Sequence, residues 1–588
     1  MNGPKNKKTQ ALIQLALFAG IVILLNILVN VRIGGRGLYA NIDLTEEKRF
    51  TLSPATKAML EDINDIVFVK VLLEGDFPAP LKQLQRSTLE MLEDFRSVSP
   101  YIEFDFEDPS GGNGEQLNAL KQQLAEWELE PTFFETTDAA QVVYPFAIVR
   151  YGNRVFPVDL LDENIPGAAT ESERLEISIS QLEYKLANAI QKITQTANDR
   201  QYILFTEGHG ELDSLQTFDL QTSLQSFYNI DRIHLDSVIT IPSDLVKLLV
   251  VAKPRSAFSD RDKFKIDQYV MSGGKVLWMI DHVAMDLDTL MRKQRFYPAP
   301  YDLQLDDLWF KYGIRFQDDF VLDYQCSSIA LTMGAQGTPP RLFKYPYFPV
   351  LVPNIAHPIT KGLGLNIAHP ITKGLGLINL KYPSGLDMDV QLAPGLERTL
   401  LLQSSENSMY QRLPVEMDFA FLREPLRKEA FQKLPQPLAM LIEGEFPSFY
   451  ANRMSAEMQE GMKQLNIEIR DHSEPTAMIV VADGDIARNE VNYNNGKVLP
   501  LGFSPYEGNG KGYTFTGNKD FLINCVEYLV NEHGVFEARG KEVKLRLLDR
   551  MKAETQKVKW QVINLVLPLV FLLLFGFAYN WWRKRKYS

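Results

Sequence analysis

Gln201-Tyr-Ile-Leu-Phe-Thr206 runs directly into Glu207-Gly208-His209-Gly210-Glu211-Leu212-Asp213. An apolar run that ends in a glycine-rich turn is the pattern of a strand buried on both faces and feeding a loop, then a helix. The rhythm continues outward. Helix, strand, strand and helix are predicted at 215–227, 230–235, 245–252 and 260–271, and a strand at 275–280 reaches Asp281-His282. That alternation predicts a doubly wound parallel sheet. Regular α/β reading fades over 283–435 and resumes at 437–443, at 477–482 before Asp483-Gly484-Asp485, and in a helix at 518–530. Residues 200–282 plus 436–535 therefore read as one flavodoxin- or amidotransferase-like α/β domain, and 283–435 as an insertion or β-containing module.

Upstream, 40–197 reads as a smaller α/β domain of thioredoxin-like size. Ser53-Pro54 gives an N-cap followed by proline in the first helical turn. Strands are predicted at 66–73 and 101–107 and helices at 80–97, 114–127 and 171–193. Gly152-Asn153 forms a two-residue hairpin signal between 144–151 and 154–160. Without a Cys-x-x-Cys such a fold is a scaffold.

Two apolar segments enclose these domains. Residues 560–582, WQVINLVLPLVFLLLFGFAYNWW, carry no charge and are followed by Arg583-Lys584-Arg585-Lys586. A helix of that length crosses a bilayer core, with Trp and Tyr at its ends in the interface and the basic tail 583–588 on the cytoplasmic side. Residues 11–31 are also uncharged and follow a basic tail, 1–10, with Lys5, Lys7 and Lys8. Their length and the lack of a small-residue cleavage site favour an anchor over a signal peptide. Both termini are then cytoplasmic, and residues 32–559 lie on the other side of the membrane. The basic stretch 539–559 runs against that charge rule and reads as a juxtamembrane helix.

A formal net charge of −12 argues against general nucleic-acid binding. Only Cys326 and Cys525 occur, and two unrelated buried thiols are favoured over one disulfide. Asn354 to Leu365 recurs unchanged as Asn366 to Leu377, too short and too few to build a solenoid. The duplication fits a surface loop and receives no function.

Two loops at predicted strand ends concentrate polar residues. Glu207, Gly208, His209, Gly210 and Glu211 form one, where three side chains could ligate a metal or share a proton. Asp483 and Asp485 form the other and could meet the first across the sheet. The plainer reading of each is a tight strand-to-helix turn, with glycines supplying the dihedral angles. No nucleophile elbow, zinc spacing or phosphate-binding loop occurs. No catalytic centre, cofactor or metal is expected.

The paired apolar termini resemble a known family in combination with four stretches: IDLTEEKRFTLSPAT at 42–56, FTEGHGE at 205–211, VADGD at 481–485, and Gly517-Asn518-Lys519-Asp520-Phe521 leading to Asn524. The family is that of the gliding-motility-associated ABC transporter auxiliary (substrate-binding) proteins, GldG. The resemblance implies a subunit working with an ABC permease and a cytoplasmic ATPase in Bacteroidetes-like gliding bacteria. It also implies a central domain likened to one in intraflagellar-transport proteins. The leading expectation is a non-catalytic, membrane-anchored auxiliary subunit linked to gliding motility or envelope export. A sugar- or peptide-binding subunit and a metal-dependent envelope hydrolase are the alternatives.

Overall fold

The computed structural model describes residues 51–75, 77–109, 118–120, 122–124, 129, 131–135, 140–162, 171–195, 200–332, 339–353, 369–372, 375–431, 435–451, 453–454, 460, 464, 469–492, 496–508, 512–530 and 556–587, with 17–18, 20–21, 32–33 and 36–37 near the start. Most of the predicted span 11–31, most of the predicted helix 539–559, and 354–368 of the tandem repeat lie outside these residues. The chain divides into two compact units, Met1–Lys541 and Glu542–Ser588.

The N-terminal lobe of the first unit contains α1 (Pro54–Glu61), β1 (Val67–Val71), α2 (Ala79–Val98), β2 (Ile102–Phe106), β3 (Phe146–Tyr151), β4 (Arg154–Asp159) and α3 (Glu171–Thr194). Ser53 caps α1 by accepting a hydrogen bond from the Thr56 backbone N–H at 3.1 Å. The four strands run in the order β2-β1-β3-β4, with β1 and β2 parallel and the other pairs antiparallel. Tyr151 pairs with Arg154, so Gly152-Asn153 is the two-residue turn that its composition predicts. Alternate residues of β1 (Val67, Val69 and Val71) enter a core with Leu84, Leu92 and Phe95 of α2 and Leu186 and Ile190 of α3.

The larger lobe contains β5 (Tyr202–Glu207), α4 (Phe218–Gln225), β6 (Asn229–His234), β7 (Val246–Ala252), α5 (Asp260–Met271), β8 (Lys275–Met279), β9 (Leu396–Gln403), β10 (Pro437–Gly444), β11 (Thr476–Val481) and α6 (Thr516–Val530). Seven strands make one sheet in the order β6-β5-β7-β8-β11-β10-β9. The first five are parallel. β10 runs antiparallel to β11, and β9 antiparallel to β10. The expected doubly wound parallel sheet is therefore a mixed sheet, and β9 comes from within 283–435. An apolar run such as 437–443 is compatible with either direction, because burial on both faces removes the alternation that marks an antiparallel strand. The sheet is covered on both sides. Leu248, Val250 and Ala252 of β7 pack with Leu220 of α4 and Phe521, Cys525 and Leu529 of α6. Leu249 and Val251 face the other way, toward Ile266, Tyr269 and Val270 of α5.

The other described residues of 283–435 include helices at Leu287–Lys293 and Asp306–Lys311 and short antiparallel pieces, Asp319–Asp323 with Ser408–Arg412, and Cys326–Leu331 with Arg341–Leu351 and Ile378–Asn379. Phe320, Tyr345, Tyr347, Phe348 and Tyr382 fill their core. The two lobes meet through α3 and α6. Buried Glu527 accepts hydrogen bonds from the Tyr184 hydroxyl and the Lys192 ammonium, and from the Asn188 amide at 3.4 Å. Cys326 and Cys525 are both free and buried.

In the second unit, Lys557–Tyr587 is one helix with Pro568 inside it. Its stretch Lys559–Arg585 has 27 residues, and its most apolar 18-residue window has a mean hydropathy of 2.4 with no buried residue, long and apolar enough to cross a membrane. One such helix is present among the described residues.

Candidate functional site

The parallel strands β7, β8 and β11 are neighbours, and their register places Ala252 beside Met279 and Met279 beside Val481. Whatever follows these three residues leaves the sheet at one edge. The sequence after β7 is Lys253, after β8 Ile280-Asp281, and after β11 Ala482-Asp483-Gly484-Asp485. Three carboxylates and one ammonium thus converge at the carboxyl ends of the strands, where α/β sheets usually hold their ligands.

The Lys253 ammonium lies 2.7 Å from Asp281 Oδ2 and 2.6 Å from Asp485 Oδ2. The Gly484 N–H donates to Asp281 Oδ1 at 2.5 Å. Asp483 accepts from the Lys381 N–H at 2.6 Å and from the Asp485 N–H at 2.7 Å. Arg488 stands 3.5 Å from Asp485 Oδ1. Two backbone features allow this crowding. Lys253 adopts φ 54°, a left-handed conformation that non-glycine residues take at some cost. A Cβ at Gly484 would stand 2.6 Å from Lys253 Cβ and 2.9 Å from its Cα, so only glycine fits there.

All four charged side chains are buried. Burial lowers the Lys253 ammonium, but Asp281 and Asp485 outweigh it and hold its pKa above the ordinary lysine value. Burial raises Asp485, but Lys253, Arg488 and Lys381 bring it down to about 2. Asp281 is raised by burial against the pull of Lys253. Asp483 is raised well above the carboxylate range by burial and by its two acidic neighbours. The Lys253 ammonium favours the ionised form of Asp485, while burial beside two other acids favours the protonated form of Asp483.

Carboxylate oxygens of Asp281, Asp483 and Asp485 lie within 4.8 Å of one another, a donor set suited to a hard divalent cation. The Lys253 ammonium supplies the positive charge at that place. A lysine held charged is neither nucleophile nor general base at neutral pH. These contacts tie three strand ends together across the sheet.

The 207–211 loop is built differently. Gly208 and Gly210 take φ of 110° and 76°, the left-handed turn that glycine permits. The His209 carbonyl accepts the N–H groups of Arg255 and Ser256 at 2.7 and 2.9 Å, fixing this loop to the one after β7. The His209 ring stacks on Phe258 with centroids 3.8 Å apart, and its nitrogens face Glu211 and Asp262, each at 3.4 Å. The His209 N–H donates to Glu211 at 2.6 Å. Glu207 pairs with Arg232 and lies 3.3 Å from His234.

The structure therefore brings Asp483 and Asp485 together, but with Lys253 and Asp281. Glu207, His209 and Glu211 are not part of that carboxylate group. Lys253 and Asp281 are members of the cluster that sequence reasoning passed over. Their signal was present, since each is the first charge after an apolar strand run, VVA then Lys253 and LWMI then Asp281.

Residues 200–525 match the family described as an ABC-type uncharacterized transport system. That is more than half of the chain, and it spans β5 to α6 and the whole acid–lysine cluster. The chain belongs to this family. Residues 46–150 of this ABC transport auxiliary protein match a domain of unknown function, DUF7088. An uncharacterized protein of Borreliella burgdorferi is 20% identical over 598 residues, covering 99% of each chain. Among solved structures, the N-terminal domain of mmIFT52 is 14% identical with a TM-score of 0.28, over 56% of this chain and 97% of that one. A ThuA-like protein of Bacteroides uniformis is 10% identical with a TM-score of 0.24, over 57% and 92%.

Proposed function

We propose that this protein is a non-catalytic, membrane-anchored auxiliary subunit of an ABC transporter, working with a permease and a cytoplasmic ATPase in gliding motility or envelope export. The observation that carries the reading is the family match over 200–525 in a chain that also bears a bilayer-length apolar helix, Lys559–Arg585. In this reading 11–31 is a second anchor, both termini are cytoplasmic and the domains between them face the periplasm. The loops most suggestive of chemistry have their polar groups engaged with one another. This favours a structural role over sugar or peptide binding at 207–211 and 483–485, and over metal-dependent hydrolysis there.

The test is purification of the full chain from its native membrane in mild detergent, followed by mass spectrometry of what stays bound. A multi-span permease and an ATPase in stoichiometric amount are expected. Recovery of the chain alone, or with unrelated envelope proteins, overturns the proposal. Glu207→Ala and His209→Ala are expected to leave that assembly intact while the domain remains folded.

A further inference from the structure

A cleft of about 940 Å³ is lined jointly by the module between β8 and β10 and by residues of 507–515, and no member of the acid–lysine cluster lines it. That volume lies near the top of the range of about 300–1,000 Å³ typical of small-molecule sites. Its base is apolar, with Cys326, Val350 and Phe515, and Leu422 and Leu426 form one wall. Burial pushes the Cys326 thiol up to about 12, so it stays an uncharged part of that base. Three large side chains at the mouth are open to solvent: Tyr324 at 39%, Leu342 at 51% and Tyr513 at 41%. Exposed apolar groups gathered round one opening mark a binding surface rather than scattered surface residues.

The lining restricts what fits. A peptide carries an N–H and a C=O at each residue, and each needs a partner when buried. Few lining groups can supply one, and Lys344 and Glu507 already bond each other at 2.9 Å. Glu507 also accepts the Ser328 N–H at 2.7 Å. An alkyl chain makes no such demand and gains from leaving water. Glu424 also lines the cleft, is exposed, and has no ion-pair partner among the described residues. With the Lys344–Glu507 pair neutral overall, Glu424 leaves the described lining residues with one net negative charge.

We propose that this cleft binds an amphiphile, with an alkyl chain along the apolar base and an ammonium-bearing head group at Glu424. This goes beyond the auxiliary role and stands on the cleft alone, so loss of the transporter reading leaves it untouched.

The test uses the full chain in a lipid-free amphipathic polymer with lysophosphatidylethanolamine carrying a photoactivatable diazirine in its tail. Cross-links are expected in peptides spanning 341–352 and 422–426, and unlabelled lysophosphatidylethanolamine is expected to compete them away. Leu342→Glu puts a carboxylate in the apolar mouth at an exposed position and is expected to cut labelling about tenfold. Glu424→Lys is expected to cut it about threefold, with thermal unfolding unchanged in both variants. Labelling confined to the helix Lys557–Tyr587, or undiminished by both substitutions, overturns the proposal. Equal competition by anionic lysophosphatidylglycerol overturns the head-group assignment. Competition by an apolar hexapeptide and not by the lipid overturns it in favour of a peptide.

Discussion

Replacing Lys253 by methionine keeps most of the side-chain volume and removes the one ammonium that faces Asp281 and Asp485 at 2.7 and 2.6 Å. Breaking a buried pair from one side costs about 3–5 kcal/mol, because the remaining charge has neither water nor partner. We expect a loss of that order in denaturant unfolding of the larger lobe. The same variant leaves three carboxylates within 4.8 Å, so calcium or manganese is expected to restore stability in Lys253→Met and not in the parent protein. A variant as stable as the parent would show that the lysine is not the counter-ion of the cluster. His209 gives a pH-dependent counterpart. Burial lowers its pKa, but Glu211 and Asp262 outweigh it and raise it above the ordinary 6.5. The protonated ring is favoured by folding, so its contribution is complete below 6.5 and fades as pH rises through the folded value. Unfolding measured from pH 6 upward is expected to show stability falling, and His209→Gln is expected to flatten that slope. The residues 207–211 were visible in the sequence because glycines and charges stand out at a strand end. Their mutual engagement was not, because Phe258 and Asp262 lie about 50 residues downstream.

At the level of elements, the turn after β11 is set by contact with the turn after β7. Gly484→Ala drives a methyl group to 2.6 Å from Lys253 Cβ and 2.9 Å from backbone Cα. Overpacking of this kind costs about 1–3 kcal/mol, and here the neighbour is main chain that cannot rotate away. Hydrogen exchange is expected to speed up at the carboxyl ends of β7, β8 and β11 in that variant, while β1 to β4 stay protected. Unchanged exchange would mean that the two turns are not packed as tightly as the geometry indicates. The Ser53 cap and the Gly152-Asn153 hairpin were legible because they depend on residues a few positions apart. The direction of β10 was not, since an apolar run is the same read either way.

Across the whole molecule, α3 and α6 hold the N-terminal lobe to the larger one through Glu527, Lys192, Tyr184 and Asn188. Glu527→Ala leaves the half-buried Lys192 ammonium without its carboxylate, a loss of about 1–3 kcal/mol. Limited proteolysis is expected to separate a fragment containing 51–195 from the remainder faster in that variant. An unaltered digestion pattern would assign the joint to apolar packing instead. Membrane attachment is tested by truncation. Removing residues 557–588 is expected to leave the protein in the alkaline-washed membrane, held by 11–31, and removing both segments is expected to release it. Release after the first truncation alone would overturn the second anchor.

What depends on neighbours along the chain is legible in the order of residues alone. This holds for the apolar length of 560–582, the strand and helix periods of 200–282, the Ser53 cap, the two-residue turn at 152–153, and the polar loops 207–211 and 483–485. Each is a local energy, set by dihedral preference or by the period at which side chains meet water. The strand order, the antiparallel run of β10 and β9, and the recruitment of β9 from 396–403 emerge with the folded sheet. It alone also brought Lys253 and Asp281 beside Asp483 and Asp485. Those outcomes depend on which strands stand next to one another. Neighbours in a sheet exchange hydrogen bonds and share low-dielectric space across more than two hundred residues, a separation over which a sequence pattern has no period.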